Sequence, residues 1–385
     1  MRPELQDIVD EAARMLGAAT TLEDRDYNLV AFAAQYGQVD DVRQASILHR
    51  AIPPELVSWF EQFGIRDTTV PVRTPADTAR RIMSRLCFSV RWQGVSYGFL
   101  WALDERRSLD DPIVAAVAEL ADQAGWFLSQ VSRQKQDDAV AVTELLGSDR
   151  ETARQSALRL IDRGSLPRNC PLVVAVVGCW NPVPTRPVVP QTALLPRAVL
   201  ADPGPHSVAL VVPARRGTEA REVAGQAIEL YRTRLPPGWT GRVVAGIGGP
   251  RTDLADGRAS WLEARIAARV AAVVDGVEPI LEWANLGAYR LLAAAADPAL
   301  RDVVADPAVT RLLENGDADL VHTARVFLDR AGNVQRAAAE LSIHRQTLYY
   351  RIEKLQKLTG LDLADGRDRT RLHLALMLAP LVGAS

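Results

Sequence analysis

Between residues 344 and 354, side chains that can form several hydrogen bonds recur on one side of a predicted helix. Leu348, Ile352 and Leu355 follow one another at i, i+4 and i+7 and form an apolar stripe. Placing each residue about 100° further round a helical wheel puts four polar side chains opposite that stripe: Gln346, Thr347, Tyr350 and Lys354. Three more lie on its flanks: Arg345, Tyr349 and Arg351. Arginine and glutamine bind base edges bidentately, and arginine and lysine pair with phosphates, so the pattern predicts recognition of nucleic acid.

Two short helices joined by a tight turn are predicted around this stripe. Asn333 is of a type that caps helix N-termini, so the first helix is expected from Asn333 to about Glu340. Residues 341–343 form the turn, and the second helix starts near His344 and runs to about Leu358. A helix that packs one face on a core and presents Arg, Gln, Thr and Tyr on the other has the geometry of a DNA recognition helix.

The surrounding sequence carries a series of motifs: Leu320-x-x-Thr323-Ala, Phe327-Leu328, Gly332-Asn333, Ala338-x-x-Leu341, Ile343-His344-Arg345-x-Thr347-Leu348-x-Tyr350-Arg351-Ile352, Thr359-Gly360-Leu361-Asp362 and Arg371-Leu-x-Leu-Ala375-Leu. Together they resemble the C-terminal helix-turn-helix of the PucR and CdaR regulator families, and their core also resembles the Fis-type helix-turn-helix. Gln346 departs from the family, which often has Asn there, but either amide can bind an adenine edge. The resemblance implies a DNA-binding regulator rather than an enzyme.

Eight residues at the start of the second helix are predicted to contact DNA: His344, Arg345, Gln346, Thr347, Tyr349, Tyr350, Arg351 and Lys354. Arg345 is the candidate for a guanine or phosphate contact. Arg351 and Lys354 are expected to pair with phosphates and so to fix the register without reading the sequence. His344 is expected either to cap the helix or to touch a phosphate. The alternative for the whole motif is a structural helix-turn-helix that binds no DNA.

Length and composition indicate a multidomain protein without a membrane segment. With 385 residues the chain is long enough for two or three domains, and 48% of its residues are apolar. No continuous apolar run is long enough to span a bilayer, and the N-terminus does not resemble a signal peptide, so a cytoplasmic protein is expected. The cysteines Cys87, Cys170 and Cys179 form no Cys-x-x-Cys pair and the histidines do not cluster, which predicts buried thiols rather than a disulfide scaffold or a zinc site. No cofactor is predicted.

The charge of the chain is unevenly distributed. The formal net charge is −2 at pH 7. Residues 320–381 hold ten basic and six acidic residues and therefore carry +4, which leaves −6 on the rest of the chain. This asymmetry is typical of a basic DNA-binding module attached to an acidic sensor body.

The first third of the chain is predicted to be an α/β sensor. A helix over residues 5–16 precedes a strand pair that turns at residues 24–26. Residues 86–92 and 97–103 alternate in polarity on either side of Gln93-Gly94, which predicts a hairpin. Two motifs in this region resemble a GAF domain: Arg85-Leu-Cys-Phe-x-Val and Gly98-Phe-Leu-Trp-x-Leu-Asp104.

A small-molecule effector of this sensor is possible, and its site is not identified by the sequence. Six aromatic residues are expected either to line a ligand pocket or to form core: Trp59, Phe60, Phe63, Trp92, Tyr97 and Trp101. No charged cluster in the sequence indicates a ligand.

A long helical pattern leaves the sensor. From Ala115 to Leu146 the pattern hardly breaks, and its apolar stripe contains Val117, Leu120, Ala124, Phe127 or Leu128, and Val131. Such a helix is expected either to pair with its copy in a homodimer or higher homo-oligomer, or to pack on its own domain.

The middle of the chain is predicted to be a second α/β domain. Residues 172–178 form a continuous β-branched run typical of a buried strand, and a hairpin is expected to turn at Asp202-Pro203-Gly204. Gly246-Ile-Gly and Trp261-x-Glu263-Ala264-Arg265 resemble the degenerate GGDEF-like domain of PucR/CdaR proteins. A cyclase needs several carboxylates at this hairpin to bind Mg²⁺, and a lone Asp202 predicts no such activity. Gly246-x-Gly248-Gly249 is interpreted as a turn after a strand rather than a dinucleotide loop.

The predicted fold class is therefore multidomain, α/β followed by all-α. The predicted domains are a GAF-like sensor over 1–130, a helical linker over 131–148, a degenerate GGDEF-like domain over 149–285 and a helical PucR-type helix-turn-helix domain over 286–385. The predicted function is that of a transcriptional regulator that binds promoter DNA as an oligomer and is not an enzyme. The alternative is a nucleotide- or small-molecule-binding signalling protein whose C-terminal helices mediate assembly.

Overall fold

The computed structural model describes residues 3–33, 40–50, 52, 54–103, 108–188, 190, 192, 195–196, 199–236, 238–293 and 306–382. The chain forms two compact units, Met1–Val140 and Ala141–Ser385. Each contains a five-stranded sheet, and helices form the C-terminal part of the second unit, so the predicted fold class is confirmed. No helix within these ranges is long and apolar enough to cross a membrane. Asp104, the end of the predicted GAF motif, lies outside the described residues.

The first unit contains an antiparallel sheet with the strand order β2-β1-β5-β4-β3. Its strands are β1 Thr20–Asp24, β2 Leu29–Phe32, β3 Val72–Thr74, β4 Arg85–Trp92 and β5 Val95–Ala102. Its helices are α1 Pro3–Leu16, α2 Asp41–His49, α3 Pro54–Glu61 and α4 Pro112–Gly147, the last of which continues into residues of the second unit. The predicted hairpin is confirmed, and Gln93 and Gly94 adopt the positive φ angles of 49° and 81° that a tight primed turn requires.

Both faces of this sheet are covered by apolar side chains. Leu86, Phe88 and Leu100 pack on one face with α1 and α4, while Phe99 and Trp101 pack on the other with Phe60 of α3. Successive residues of a strand point to opposite faces, so β4 and β5 must be apolar at both parities. Of the six aromatic residues left open as core or pocket, Phe60 and Trp101 are buried in the core. Trp59 and Phe63 pack against that core, Tyr97 packs on the other face, and Trp92 is partly exposed.

The start of α4 packs on its own unit, as one of the two alternatives for this helix predicted. Val117, Ala124 and Leu128 of the predicted stripe are buried in the core that α1 and the sheet form. Over residues 131–140, by contrast, α4 has no buried residue. The apolar stripe is thus used within the first unit for the first half of α4 only.

The second unit begins with a mixed sheet of strand order β10-β9-β6-β8-β7, in which the β9–β10 pair is parallel. The strands are β6 Leu172–Trp180, β7 Leu200–Pro203, β8 Ser207–Pro213, β9 Arg242–Ile247 and β10 Ile280–Glu282. The helices α5 Arg150–Asp162, α6 Glu219–Arg232 and α7 Gly257–Val273 cover it. Val173, Ala175 and Val177 pack with α6 on one face, and Val174 and Val176 pack with α5 and α7 on the other. The predicted buried strand is therefore confirmed.

Two details of the predicted middle domain are wrong. Asp202 and Pro203 do not form the hairpin turn, because both belong to β7 and pair with Ala209 and Val208. The turn comes after them, at Gly204-Pro205-His206, and the amide of Gly204 donates to the carbonyl of Ser207 at 2.7 Å.

The glycines of the Gly246-x-Gly248 motif also have a different role from the predicted turn. Neither has a positive φ angle. A Cβ at Gly246 would lie 2.0 Å from the carbonyl oxygen of Ala264, and one at Gly248 would lie 2.0 Å from that of Ser260. These glycines are needed because α7 lies directly against β9, a packing demand that a local turn pattern does not show.

Helices complete the second unit: α8 Pro307–Asn315, α9 Ala318–Asp329, α10 Val334–Glu340, α11 Arg345–Thr359 and α12 Gly366–Val382. They share one apolar core, to which Leu320, Phe327, Leu348, Leu355 and Leu372 contribute. The helical prediction from residue 287 onward is only partly tested. Gly287–Ala293 is a 3-10 helix rather than an α-helix, and residues 294–305 lie outside the described residues. The three cysteines are free and buried, as predicted.

Candidate nucleic-acid interface

The two predicted helices of the C-terminal motif form with the predicted capping. The side chain of Asn333 accepts a hydrogen bond from the amide of Arg336 at 3.0 Å and so caps α10. The turn passes through Ser342, whose φ is 53°, and the amide of Ile343 donates to the carbonyl of Ala338 at 3.0 Å. These contacts fix the angle at which α11 leaves the turn, and they do so independently of any partner.

His344 is the N-cap of α11. Its Nδ1 accepts a hydrogen bond from the amide of Gln346 at 3.3 Å, which satisfies one of the free amides of the first turn. The sequence left a cap and a phosphate contact open for this residue, and the structure places it at the cap. Because Nδ1 is the acceptor, the neutral ring carries its proton on Nε2 and keeps one donor for a partner.

The two faces of α11 differ as the helical wheel predicts. Leu348 and Leu355 are fully buried, and Ile352 packs against the same core. On the outward side, five neighbouring residues are exposed: Arg345, Gln346, Thr347, Tyr349 and Tyr350. The two tyrosines are 59% and 68% exposed, although tyrosine usually buries much of its ring.

The side chain of Arg345 has no hydrogen bond or ion pair to any residue that the structure describes, which leaves its guanidinium available for a ligand.

Arg351 and Lys354, for which phosphate contacts are predicted, bond to α9 in the absence of DNA. One nitrogen of the Arg351 guanidinium donates to Oγ1 of Thr323 at 2.9 Å, and another lies 3.4 Å from the Asp319 carboxylate. The Lys354 ammonium lies 3.0 Å from the carboxylate of Asp317, the N-cap of α9. Lys354 lowers the pKa of Asp317 by hydrogen bonding, and the amide of Leu320 adds to that effect. Both cations therefore tie α11 to α9.

Two arginines outside the predicted set bear on this interface. Arg311 of α8 donates to the carbonyls of Thr359 and Leu358 at 2.7 and 3.2 Å, and so holds the C-terminal end of α11. Arg336 lies exposed on α10, the helix that in this motif crosses the DNA backbone. The charge count of the sequence included Arg336 without giving it a role, because no helical wheel of α11 contains it. Arg311 was not considered, because the charge count began at residue 320.

Comparisons with known proteins match two parts of the chain. The family of PucR C-terminal helix-turn-helix domains matches residues 320–378, which run from α9 into α12 and contain all eight predicted contact residues. The family of GGDEF-like domains matches residues 100–270. The predicted resemblances to the PucR helix-turn-helix and to the GGDEF-like domain are thereby confirmed.

Three of the curated relatives are regulators of Bacillus subtilis (strain 168). The proline-responsive transcriptional activator PutR is 22% identical over 97% of this chain and 96% of its own length. The purine catabolism regulatory protein is 38% identical over 17% of this chain and 12% of its own length. The DNA-binding transcriptional activator AdeR is 24% identical over 28% of this chain and 26% of its own length.

Proposed function

Because this chain is a regulator of the PucR/CdaR family, we propose that α11 binds the major groove of promoter DNA with its N-terminal half. The observation that carries the proposal is the exposed surface of α11, where Arg345 and four polar neighbours face outward from a helix fixed on a core. A helix anchored on one face and polar on the other is the reading element of a helix-turn-helix.

The contacts of α11 divide its predicted residues into two roles. Arg345, Gln346, Thr347, Tyr349 and Tyr350 would touch DNA, with Arg345 the candidate for bidentate pairing with guanine. His344 would add a phosphate contact through Nε2 while it caps the helix. Arg351 would act as a positioning residue, because its guanidinium is bonded to Thr323. Lys354 is half exposed, so a phosphate contact remains proposed for it beside its ion pair.

We also propose that the chain binds DNA as a homodimer or higher homo-oligomer. Helix-turn-helix proteins commonly bind symmetric operators, and half-sites then lie about one helical turn apart. The part of α4 over residues 131–140 has no buried residue within the described chain, and Trp126 and Val140 are exposed on this helix. That surface supports pairing of two α4 helices. Light scattering of the purified chain measures the oligomer directly, and a monomer at micromolar concentration would contradict this part of the proposal.

The middle domain is proposed to be catalytically silent. Asp202 lies within β7, and its carboxylate accepts a hydrogen bond from Thr143 Oγ1 at 2.9 Å. Pro203 and Pro205 stiffen the hairpin beside it, whereas a cyclase brings several carboxylates and flexible glycines to this position. An assay with GTP and Mg²⁺ tests the proposal, and turnover that Asp202→Ala abolishes would overturn it.

The first unit is proposed to be the sensor, with a small-molecule effector. The relative that aligns over nearly the whole chain is named a proline-responsive activator, which supports a small metabolite as the signal. In this proposal the effector changes the geometry of the two α11 helices and thereby the affinity for DNA.

Fluorescence anisotropy on DNA from upstream of the chain's own gene tests the DNA-binding proposal. Arg345→Ala is expected to weaken specific binding by about 1–3 kcal/mol and to leave non-specific binding mostly intact. Arg367→Ala removes the same charge from an exposed arginine outside α11 and serves as the matched control. Equal losses for the two variants would contradict a reading role for Arg345. No binding even at low salt, where non-specific contacts are strong, would favour the assembly alternative.

A further inference from the structure

Arg369 of α12 lies over the turn that leads from α9 into α10. Nη1 of its guanidinium donates to the carbonyl of Ala331 at 3.4 Å. A Cβ at Gly332 would lie 2.6 Å from the same nitrogen and 3.7 Å from Cζ of Arg369. The backbone passes through this turn with positive φ angles of 53° at Ala331 and 76° at Gly332. Gly332 is therefore needed both for the turn and for the space that the guanidinium occupies.

The fold supplies few partners for this guanidinium. Arginine carries several N–H donors, and in the described part of the chain only Nη1 of Arg369 has an acceptor, at a distance longer than that of a typical hydrogen bond. Nε is buried without a hydrogen-bond partner. Arg369 is partly exposed, and no carboxylate of the described residues forms an ion pair with it. Packing thus holds the charge of Arg369 in a fixed place without neutralising it.

Arg336 is a second unpaired cation beside the same turn. It lies in the first turn of α10, four residues after Gly332, and is exposed. Its amide donates to the side chain of Asn333, but its guanidinium has no hydrogen bond or ion pair to any residue that the structure describes. The start of α10 is therefore flanked by two guanidinium groups, one from α10 itself and one from α12.

Two carboxylates near the ends of α9 and α10 are already paired with other residues. Glu340 forms an ion pair with Arg330. The carboxylate of Asp329 lies 2.9 Å from Nε2 of His373. Even with a neutral His373, the arginines outnumber these carboxylates, so the surface around the start of α10 is positive and suits an anionic partner.

The place of this surface in the motif indicates which anion it binds. In a helix-turn-helix the first helix crosses the sugar–phosphate backbone while the second lies in the major groove. Here α10 is the first of these helices and α11 is the second, so an anion beside the start of α10 is a phosphate of the duplex that α11 enters. The guanidinium fork matches the geometry of a phosphate, and such contacts fix the register of the recognition helix.

We propose that Arg369 of α12 and Arg336 of α10 bind backbone phosphates of the DNA beside the groove that α11 enters. The inference rests on the DNA binding proposed above, and it adds to the contact a helix that lies outside the helix-turn-helix. Leu372 of α12 and Leu348 of α11 belong to one core, so a phosphate bound to Arg369 holds the duplex in a fixed position relative to α11.

A salt titration of DNA binding by the full chain tests this surface. Fluorescence anisotropy is measured on DNA from upstream of the chain's own gene and on a scrambled duplex of the same length. Arg369→Gln keeps a donor for the Ala331 carbonyl and removes the charge. It is expected to weaken binding to both duplexes about threefold to tenfold at low salt, and to reduce the slope of log affinity against log salt by about one. Arg336→Gln is expected to have the same effect, and Arg369→Lys to keep the wild-type slope.

Arg367→Gln is the matched control on α12. Arg367 is exposed and lies about 200° round the helix from Arg369. It is on the side of α12 where Arg371 pairs with Asp306, the N-cap of α8. Its loss is expected to leave the slope unchanged. An unchanged slope for both Arg369→Gln and Arg336→Gln would overturn the proposal, and so would an equal fall in slope for Arg367→Gln.

Thermal unfolding by circular dichroism distinguishes a phosphate contact from a purely structural role of Arg369. A lower melting temperature of Arg369→Gln with an unchanged salt slope would assign Arg369 to the turn alone and contradict the inference. If Arg345→Ala loses specific binding while Arg369→Gln and Arg336→Gln keep the slope, only the phosphate surface fails and the proposed function stands. Absence of DNA binding by the wild type at low salt would refute both.

Discussion

Arg345 of α11 and the two buried arginines of the first unit, Arg43 and Arg85, carry the same guanidinium group in opposite environments. Arg345 is exposed and has no bond to the described chain, whereas Arg43 and Arg85 are nearly inaccessible and held by Asp40 and a backbone carbonyl. An exposed guanidinium keeps its hydration when the chain folds, and it binds a large polyanion mainly through charge. A buried one depends on the partners that the fold supplies, because an unpaired buried charge loses its hydration.

Two neighbouring aspartates, one buried and one exposed, are expected to have very different effects on stability. Asp40→Ala removes the N-cap of α2 and the partner of Arg85, and leaves a buried cation unpaired. The free energy of unfolding of the first unit is expected to fall by about 3–5 kcal/mol. Asp41, the next residue, forms an exposed pair with Arg81, so Asp41→Ala is expected to change stability by no more than about 0.5 kcal/mol. Urea denaturation followed by tryptophan fluorescence measures the stability of both variants. Similar losses for the two would show that burial does not make Asp40 more important than Asp41.

The burial of Glu23 is expected to make the stability of the first unit depend on pH. The pKa of Glu23 is raised from its ordinary value of 4.5 to about 8, first by burial, with Arg85 and Trp101 opposing and Asp24 adding to the rise. The buried Cys87 thiol nearby has its pKa raised well above its usual range. A group whose pKa is higher in the folded state stabilises below its unfolded pKa, and that contribution is lost as pH rises through the folded value.

Unfolding free energy of the unliganded wild type is therefore expected to decline between about pH 5 and pH 8 more steeply than that of Glu23→Gln. The difference between the two curves isolates Glu23 from the other groups that titrate. Glu11, whose pKa is lowered by its hydrogen bond to Arg14, stays ionised over this range, so Glu11→Gln should follow the wild-type slope. Parallel curves for wild type and Glu23→Gln would show that the carboxyl is ionised throughout.

The sequence revealed the outward face of α11 but not the buried charged cluster of the first unit, and the reason is physical. The helix α11 is read from residues within one stretch, where the 3.6-residue period of Leu348, Ile352 and Leu355 defines the face that is left outside. The buried cluster of Glu23, Arg85 and Trp101 is assembled by the strand order β1-β5-β4, which the alternation of single strands does not reveal. The same limit applies to Gly246, because its close neighbour on α7 lies in another element and a local pattern suggested a turn role instead. The bond from Arg351 to Thr323 of α9 was hidden from the sequence in the same way.

Arg351 and Arg345 provide a test within α11 itself. Arg351→Ala breaks the bond to Thr323 and is expected to lower the stability of the C-terminal helices by about 1 kcal/mol, with weaker DNA binding because α11 is less well fixed. Arg345→Ala is expected to weaken DNA binding without a change in melting temperature. Thermal unfolding by circular dichroism, run beside anisotropy, separates the two. A DNA-binding defect of Arg351→Ala at unchanged stability would instead assign Arg351 to the phosphates.

Lys354 combines the two environments, because its ammonium is half exposed and is also paired with Asp317. Each phosphate contact adds close to one unit to the slope of log affinity against log salt. If Lys354 serves only to hold α9, Lys354→Ala leaves that slope unchanged. If Lys354 leaves Asp317 for a phosphate on binding, the slope falls by about one. Lys357 lies one turn after Lys354 on α11 and is paired with Glu353, so Lys357→Ala is the matched control. Because Lys354 is half exposed and a phosphate contact is proposed for it, we expect a slope lower by about one for Lys354→Ala and an unchanged slope for Lys357→Ala.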